Sequence, residues 1–398
     1  MKPFQLNIFF LQLILCLTLI SCTEQYALQT NTFENALVVE ATITNELKKQ
    51  EIKITRTYRL EEEETTIESG ALVTVTDTEN NKYVFDQKDS VYVSQTEFNA
   101  IPGRKYRLDI ITSQGKVYYS TPQTLTTINE IQNIDVRVET RKGDRGVEIN
   151  VNSYDPTGTS KYYRYEYEET YKIMAPQWDA RMTKLLPLAP DETHPAIIVL
   201  PRTQETKTCY TTKKEDNIIQ TSTNQFLEDR VHFPIRFISN QNYIISHRYS
   251  ILVRQYIQTI EAYSFYKTLK EISGNESILS QTQPGFFYGN IKSSDNPNEK
   301  VIGFFEVSSV SSKRIFFNYA DLFPKEPLPP YFIDCTERLY VDCFNPTPEC
   351  KGAALRSAIS GNLLVHLGSS NITYLMVPPP CGDCTSFSSN VTPSFWID

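Results

Sequence analysis

Cys22 is the cysteine whose neighbours point to one specific reaction. It ends the sequence Leu19-Ile20-Ser21-Cys22, which resembles the bacterial lipobox, where the cysteine is acylated and becomes the mature N-terminus. Lys2 is the only charged residue ahead of a largely apolar run over 8–20. This is a signal-peptide pattern, and the run is shorter than the roughly 20 residues that cross a membrane comfortably. We predict a lipoprotein signal peptide over 1–21 and a lipid anchor on Cys22, with an ordinary signal peptide as the alternative.

Six further cysteines belong to the folded body of the chain, and five of them lie at or beyond position 335. They are Cys209, Cys335, Cys343, Cys350, Cys381 and Cys384. An even number in an exported chain favours up to three disulfides, among which fifteen pairings are possible. The two-residue gap in Cys381-Gly382-Asp383-Cys384 also fits a zinc knuckle or a redox-active dithiol, although a second pair at that spacing is missing. We therefore predict a disulfide-stapled tail without metal or cofactor, and keep zinc and a dithiol as alternatives.

Most of the segments that must position these cysteines have the residue pattern of β-strands. Short alternating segments recur between positions 37 and 125, separated by turn residues such as Gly70 and Asn80-Asn81. A second series starts near position 134 and includes a strand over 161–168 in which tyrosines alternate. We interpret this tyrosine stripe as core and rim. The pattern predicts an all-β fold of tandem immunoglobulin/fibronectin-like β-sandwiches, with one helix and a cysteine-rich C-terminal extension.

The domain boundaries follow from these patterns and from the chain length. A chain of 398 residues has room for two or three domains of about 100 to 200 residues. Pro176, Pro187, Pro190, Pro195 and Pro201 interrupt the strand spacing over about 175–245. They indicate an irregular insertion with a few short strands, of the kind that often carries recognition. The expected order is a flexible tether over 22–34, an N-terminal β-sandwich over 35–127, a second β-sandwich over 128–325 that contains the insertion, and a cysteine-rich tail over 326–398.

One segment in the second sandwich predicts a helix. Apolar residues recur at helical spacing from Ala262 to Ile272, Thr259 is placed to cap the start, and Gly274 interrupts the pattern. After the helix, the segments 286–291 and 301–307 are separated by turn residues and predict a hairpin-like pair. We expect the helix to cover one edge or end of a sheet.

Charge and motifs exclude several classes of function. There are 39 basic and 47 acidic residues, and a net charge of −8 without a basic cluster argues against a nucleic-acid partner. The four histidines, His194, His232, His247 and His366, stand outside any metal-binding motif, and the sequence contains neither a G-x-S-x-G elbow nor a phosphate-binding glycine loop. The sequence therefore favours a protein that is not an enzyme.

Several segments, taken in order, resemble one family. They are Leu37-Val38-Val39-Glu40-Ala41-Thr42-Ile43-Thr44, Pro102-Gly103-Arg104-Lys105-Tyr106, Gly289-Asn290-Ile291, Val301-Ile302-Gly303-Phe304-Phe305, Cys381-Gly382-Asp383-Cys384, Pro393 and Phe395-Trp396. The chain is similar to Bacteroidota outer-membrane lipoproteins of the domain-of-unknown-function 4249 family. The resemblance brings no catalytic residues, because the family has no settled activity. It implies a lipoprotein of the outer membrane, often encoded near TonB-dependent transporters.

These observations lead to one expected function and two alternatives. We expect a non-catalytic, lipid-anchored envelope protein, held to the membrane through Cys22 on the cell surface or the periplasmic face, that serves as a binding or accessory module of an outer-membrane β-barrel transporter. The alternatives are an envelope hydrolase with a site in the 175–245 insertion, and a structural or adhesive surface protein.

Overall fold

The computed structural model describes residues 36–57, 66–188, 190, 194–274, 289–343 and 350–398. The predicted signal peptide, Cys22 and the tether lie outside these residues. Within the described residues, strands form five sheets and the helices are few, which confirms the predicted all-β fold. No helix in this part of the chain is long and apolar enough to cross a membrane.

The N-terminal domain is one extended sheet of eleven strands. The strands are β1 (Leu37–Thr44), β2 (Glu51–Arg56), β3 (Thr66–Ile67), β4 (Leu72–Asp77), β5 (Lys82–Lys88), β6 (Val91–Ser94), β7 (Lys105–Ile111), β8 (Val117–Ser120), β9 (Gln123–Thr124), β19 (Ile291–Ser293) and β20 (Val301–Ser308). The main path of the sheet runs β19-β8-β7-β4-β5-β6-β2-β1-β20, while β3 pairs with β2 and β9 pairs with β7.

Period-two alternation makes this sheet fold around a single core. In β4, Val73 and Val75 are buried while Leu72 is exposed, as expected for a strand with one face toward the interior. Each of the longer strands contributes buried apolar residues to one hydrophobic cluster, among them Ile52 in β2 and Tyr118 in β8. Because one sheet supplies every side of this cluster, the sheet must wrap around it, and its two halves face each other as in a sandwich.

Two strands depart from the predicted division of the chain. The segments β19 and β20, which the sequence places in the second sandwich, hydrogen-bond in the first sheet, where β20 runs parallel to β1. They therefore do not form the predicted hairpin with each other. Instead, the side chain of Asn290 accepts from the backbone N–H of Phe305 and donates to its carbonyl, each at 2.8 Å. This amide joins the two ends of the sheet path.

A close backbone approach at β20 explains why glycine stands at position 303. Gly303 has φ +151°, and a Cβ there would lie 2.2 Å from the carbonyl oxygen of Val39. A side chain would push β20 away from β1, so glycine is required for the parallel pairing.

The second domain is a sandwich of a three-stranded and a five-stranded sheet. The strands are β10 (Ile131–Arg141), β11 (Asp144–Asp155), β12 (Tyr162–Met174), β15 (Thr208–Lys214), β16 (Ile219–Ser222), β17 (Asp229–Ser239), β18 (Arg248–Gln258) and β21 (Val310–Asn318). The first sheet has the order β10-β11-β17, and the second has the path β15-β12-β18-β21, with β16 attached to β12.

The two sheets of this domain enclose one hydrophobic core. Buried aliphatic residues of β11 and β18 share it with the tyrosines of β12, and its members include Val147, Ile149, Val151, Tyr163, Tyr165, Ile251 and Val253. The tyrosine stripe is thus core, as predicted.

The segment that the sequence presents as an irregular insertion is more regular than its prolines suggest. The strands β15, β16 and β17 lie within 175–245 and are strands of the sandwich itself. Pro234 is tolerated because β17 is at the edge of its sheet, and the pairing with β11 shifts register beside it, between Ile149 and Asn150. Proline therefore marks an edge strand here.

The predicted helix is present as α1 (Ile260–Gly274). The hydroxyl of Thr259 accepts from the backbone N–H of Ala262 at 3.2 Å, which is the predicted cap. Ala262 and Phe265 pack on Phe304, so the helix covers the end of the first sheet near β20. Three shorter helices follow in the described residues: α2 (Tyr319–Leu322), α3 (Gly352–Ser360) and α4 (Pro379–Gly382).

Candidate functional site: the insertion–tail module

A small third unit is built from two distant parts of the sequence. It combines the hairpin β13 (Arg181–Leu185) and β14 (Ile197–Pro201) with α3, α4 and a three-stranded sheet. That sheet consists of β22 (Arg338–Val341), β23 (Val365–Ser370) and β24 (Thr373–Val377), in the order β22-β24-β23. We call this unit the insertion–tail module.

The hairpin and the tail share a hydrophobic core. The buried residues Leu355, Leu364 and Met376 come from the tail, and Leu185, Ile197 and Val199 of the hairpin pack against them. An isolated two-stranded hairpin is at best marginally stable in water. The tail therefore gives the hairpin the apolar surface on which it can fold.

One ion pair and one hydrogen bond from a charged side chain fix the hairpin on the tail. Arg202, directly after β14, donates to Asp383 at 2.8 Å, and its side chain is 7% exposed. Arg356 of α3 is 2.7 Å from Asp342 and donates through Nε to the carbonyl of Pro195 at 2.8 Å. Charges with this little exposure to water must be paired to be tolerated. The Arg202–Asp383 pair and the Arg356–Pro195 hydrogen bond therefore favour one orientation of the hairpin on the tail.

All six predicted disulfide cysteines are bonded in three pairs. Cys209 bonds to Cys384, Cys335 to Cys381, and Cys343 to Cys350. The two cysteines of the Cys-x-x-Cys segment thus have different partners, and the segment forms neither an internal dithiol pair nor a zinc knuckle in this structure. The Cys209–Cys384 bond ties the module to β15 of the second sandwich.

The outer face of the hairpin also carries apolar side chains, on either side of the exposed Lys184. Met182 and Leu200 lie directly opposite each other across β13 and β14, and they are 38% and 39% exposed. Leu186 and Leu188, which follow β13, are also exposed. In the described part of the chain β14 bonds only to β13. The hairpin thus presents apolar side chains and an open strand edge on the side away from its core.

A polar cluster joins the two sandwiches. Arg164 of β12 donates to Glu166 at 2.6 Å and to Glu306 of β20 at 2.7 Å, and its guanidinium lies over the rings of Tyr256 and Tyr266. Burial opposes the charge of Arg164, but Glu306 and the other neighbours outweigh it and raise the pKa of Arg164. For Glu166, likewise, Arg164 outweighs burial and lowers the pKa. The cluster borders a polar cavity of about 220 Å³. Because Arg164 lies on β12 and Glu306 on β20, their contact links the two domains.

One known family matches most of the chain. The family model described as "Domain of unknown function (DUF4249)" matches residues 23–314, which is more than half of the chain. The chain belongs to this family. The matched region contains the strands of both sandwiches up to part of β21, whereas the tail, including five of the six bonded cysteines, lies beyond it. The Cys381–Cys384 and Phe395-Trp396 segments used for the resemblance are therefore outside the DUF4249 match.

Comparisons with individual proteins give only distant similarities. No curated protein matches the chain. Among solved structures, trypsin-activated alpha-2-macroglobulin from Escherichia coli has 7% identity and a TM-score of 0.16, with 57% of this chain and 15% of that chain covered. A BSP domain of a biofilm-associated protein has 8% identity and a TM-score of 0.14, with 70% and 58% covered. This chain thus spans less than two thirds of either structure. TM-scores this low do not indicate a shared fold.

Several residues of the insertion–tail module were not predicted from the sequence to be functional. Among the histidines, His366 is the most deeply buried, at 1% exposure, whereas His232 is exposed and bonds through Nδ1 to Asn152 at 2.7 Å. Asp179 and Arg202 flank the hairpin and contact the tail, and nothing in their local sequence indicates this. The short apolar run Ile197-Ile198-Val199-Leu200 was the one available signal for the hairpin. In the described residues no group of His, Cys, Asp or Glu is arranged to hold a metal ion.

Proposed function

We propose that this DUF4249 protein is a lipid-anchored component of the bacterial cell envelope that binds a protein partner through the outer face of the β13–β14 hairpin. The partner we propose is an outer-membrane β-barrel transporter of the TonB-dependent type, which the chain assists in capturing or delivering a ligand. The observation that carries the proposal is the exposed apolar pair Met182 and Leu200 on a hairpin whose other face is already packed.

The physical argument concerns the two faces of the hairpin. Leu185, Ile197 and Val199 point to the module core, so Met182 and Leu200 on the opposite face do not contribute to it. Leu186, with the same alternation, extends the apolar face. Exposed apolar side chains, beside a strand edge that pairs with no other strand in the described residues, favour association with another protein, either by packing or by strand addition.

The proposed location has two supports. Disulfides persist in oxidising compartments and are rare in the cytosol, so the three bonds favour export. The signal-like pattern and the lipobox-like ending at Cys22 favour acylation, and the DUF4249 resemblance favours an outer-membrane lipoprotein of Bacteroidota. We propose that the lipid on Cys22 keeps the folded body near its membrane partner.

Affinity purification of the full chain from membranes solubilised in mild detergent tests this function. We expect a β-barrel partner with the wild type, and at least a tenfold lower yield of that partner with a Met182→Ser, Leu200→Ser variant. A matched control is available in Leu72→Ser, Ile111→Ser, because Leu72 and Ile111 are also an exposed cross-strand pair, 54% and 39% exposed, but in the N-terminal sheet. This control should retain the partner.

The purification and two cell-based experiments separate the competing functions. Recovery of the wild-type protein alone, or equal loss of the partner in both double variants, contradicts the proposed hairpin interface. A deletion strain that loses adhesion but keeps normal uptake supports a structural or adhesive protein instead. Protease treatment of intact cells then decides between the surface and the periplasmic face, since only a surface protein is digested.

A further inference from the structure

A serine, a histidine and an aspartate meet where the insertion contacts the tail. The hydroxyl oxygen of Ser369 is 3.1 Å from Nε2 of His366. Nδ1 of the same ring is 3.5 Å from Oδ1 of Asp179. The ring thus lies between a hydroxyl at hydrogen-bond distance from Nε2 and a carboxylate that is near Nδ1 without a hydrogen bond to it. This is the order of groups that activates a serine nucleophile.

A β-bulge brings Ser369 and His366 to the same side of β23. Residues three apart on a regular strand point to opposite faces. The pairing of β23 with β24 shifts register between His366 and Gly368, and this extra residue turns Ser369 back toward the imidazole. Bulges re-aim side chains in this way and are frequent next to active sites.

Asp179 is held by its own neighbours. It lies between β12 and β13, and its Oδ1 accepts from the backbone N–H of Arg181 at 2.8 Å and from Nε of Arg181 at 3.1 Å. Burial alone would raise the pKa of Asp179, but the hydrogen bonds and charge of Arg181 outweigh it, and the net effect is a lowered pKa. Asp179 is therefore ionised at neutral pH and can stabilise a positive charge on the ring.

The environment of His366 favours its neutral form. Burial is the largest effect and lowers the pKa of His366, with smaller lowering by the charges of Arg181 and Arg202; the charge of Asp179 and a backbone hydrogen bond at Arg181 act in the opposite direction. A neutral imidazole is the form that accepts a proton. Ser369 is half-buried, whereas the side chain of His366 beside it is fully buried.

We propose that Ser369, His366 and Asp179 form a nucleophilic site that hydrolyses carboxylic esters. Ser369 Oγ bonds to the ester carbonyl carbon while its proton passes to Nε2 of His366. The bond between the carbonyl carbon and the alcohol oxygen then breaks, and His366 donates the proton to that oxygen. Water then attacks the acyl-serine through the same base, which releases the carboxylic acid and regenerates the serine. Asp179 is a positioning residue that orients the ring. This activity is independent of the partner binding proposed above.

An activity-based probe tests the site directly. The full chain in detergent is treated with a fluorophosphonate probe, and the modified residue is located by mass spectrometry. We expect the phosphonyl adduct on Ser369, no labelling of Ser369→Ala, and at least a hundredfold slower labelling of His366→Gln. Ser370→Ala is the matched control, because Ser370 is the exposed neighbour on the same strand, and it should be labelled like the wild type.

The pH profile separates a positioning role from a purely structural one. The wild-type labelling rate should rise with pH and reach half its maximum below about pH 6.5, because His366 must lose its proton. Asp179→Asn removes the charge that favours the protonated ring, so its half-maximum should move to lower pH and its maximal rate should fall.

Folding is monitored by intact mass under non-reducing conditions, which shows whether all three disulfides have formed. An unlabelled wild type with its disulfides intact, under conditions that label a known serine hydrolase, overturns the proposal. So does equal labelling of folded Ser369→Ala. Neither outcome affects the partner proposal, since the pull-down variants change other residues.

Discussion

Removing the Cys209–Cys384 bond should cost more stability than removing any other disulfide, because it closes the longest loop. The two cysteines are 175 positions apart, and the loop-entropy relation gives about 5 kcal/mol at 25 °C. The Cys335–Cys381 bond shortens the open loop but leaves this figure at about 5 kcal/mol, since the entropy depends on the logarithm of length. For Cys343–Cys350, with a separation of 7, the same relation gives about 2 kcal/mol.

Tryptophan fluorescence is a suitable assay because both tryptophans lie at the affected unit. Trp178 donates to the hydroxyl of Thr206 at 2.9 Å, next to the hairpin, and the ring of Trp396 is 4.9 Å from that of Tyr210, beside Cys209. In urea, with an m-value of about 2 kcal/mol/M, the double alanine variant at 209 and 384 should lower the midpoint by about 2.5 M. The variant at 343 and 350 should lower it by about 1 M.

The comparison between the two variants decides whether the reasoning is right. Alanine is used at both positions of each pair so that neither a free thiol nor a buried hydroxyl remains. Equal losses of stability in the two variants, or a larger loss for Cys343–Cys350, would refute the loop-length argument. It would show that local packing, and not chain entropy, determines what each bond contributes.

Two further predictions concern buried charge and pH. Glu306→Gln should destabilise the chain by about 3 kcal/mol in urea unfolding followed by circular dichroism, because it removes one of the two carboxylates that neutralise the buried guanidinium of Arg164. His366→Gln should weaken the acid sensitivity of unfolding: burial lowers the pKa of His366 in the folded state, so below about pH 6.5 the unfolded chain binds the proton more readily and wild-type stability falls as pH decreases.

Each of these predictions has a clear contrary result. Glu40→Gln is the control for Glu306, since the Glu40 side chain is 63% exposed and its pairing with Lys53 should be worth less than about 0.5 kcal/mol. Similar losses in the two glutamine variants would show that burial of the Arg164 cluster does not set its energy. For the histidine, the variant should keep part of the slope because burial and Lys172 also lower the pKa of His247. Parallel stability curves for wild type and His366→Gln contradict the prediction.

Local patterns predicted the elements of this fold well, because alternation and capping depend on neighbours in sequence. The strands β4 and β12 and the Thr259 cap of α1 follow from such signals. The parallel pairing of β20 with β1 does not, since it joins residues that are far apart in sequence and depends on the absence of a side chain at Gly303. Sequence alternation shows that a segment is a strand and leaves its partner undetermined.

The candidate site was still less predictable, because its residues come from distant parts of the chain. The cysteine count predicted up to three disulfides, but the pairing required knowing that the tail packs beside β15. Asp179 and His366 stand apart in sequence, and the hydroxyl that completes the cluster faces the ring only because β23 is bulged. A bulge adds one residue without a marker in composition, so a motif search based on fixed spacing passes over it.

The sequence of the hairpin β13–β14 contains a strand signal that is easily misinterpreted. Apolar residues stand on both of its faces, Leu185, Ile197 and Val199 inward and Met182 and Leu200 outward, with Thr183 and Lys184 between them on β13. Apolar residues on both faces usually indicate a strand that is covered on both sides. Among the described residues, the tail supplies a core that covers the inner face, while Met182 and Leu200 stay exposed. Apolar side chains on the uncovered face cost solubility and add nothing to the packing of the module. A second covering surface from another molecule is the simplest physical reason for their presence, and for this reason we propose the binding interface on the hairpin and not on the sandwiches.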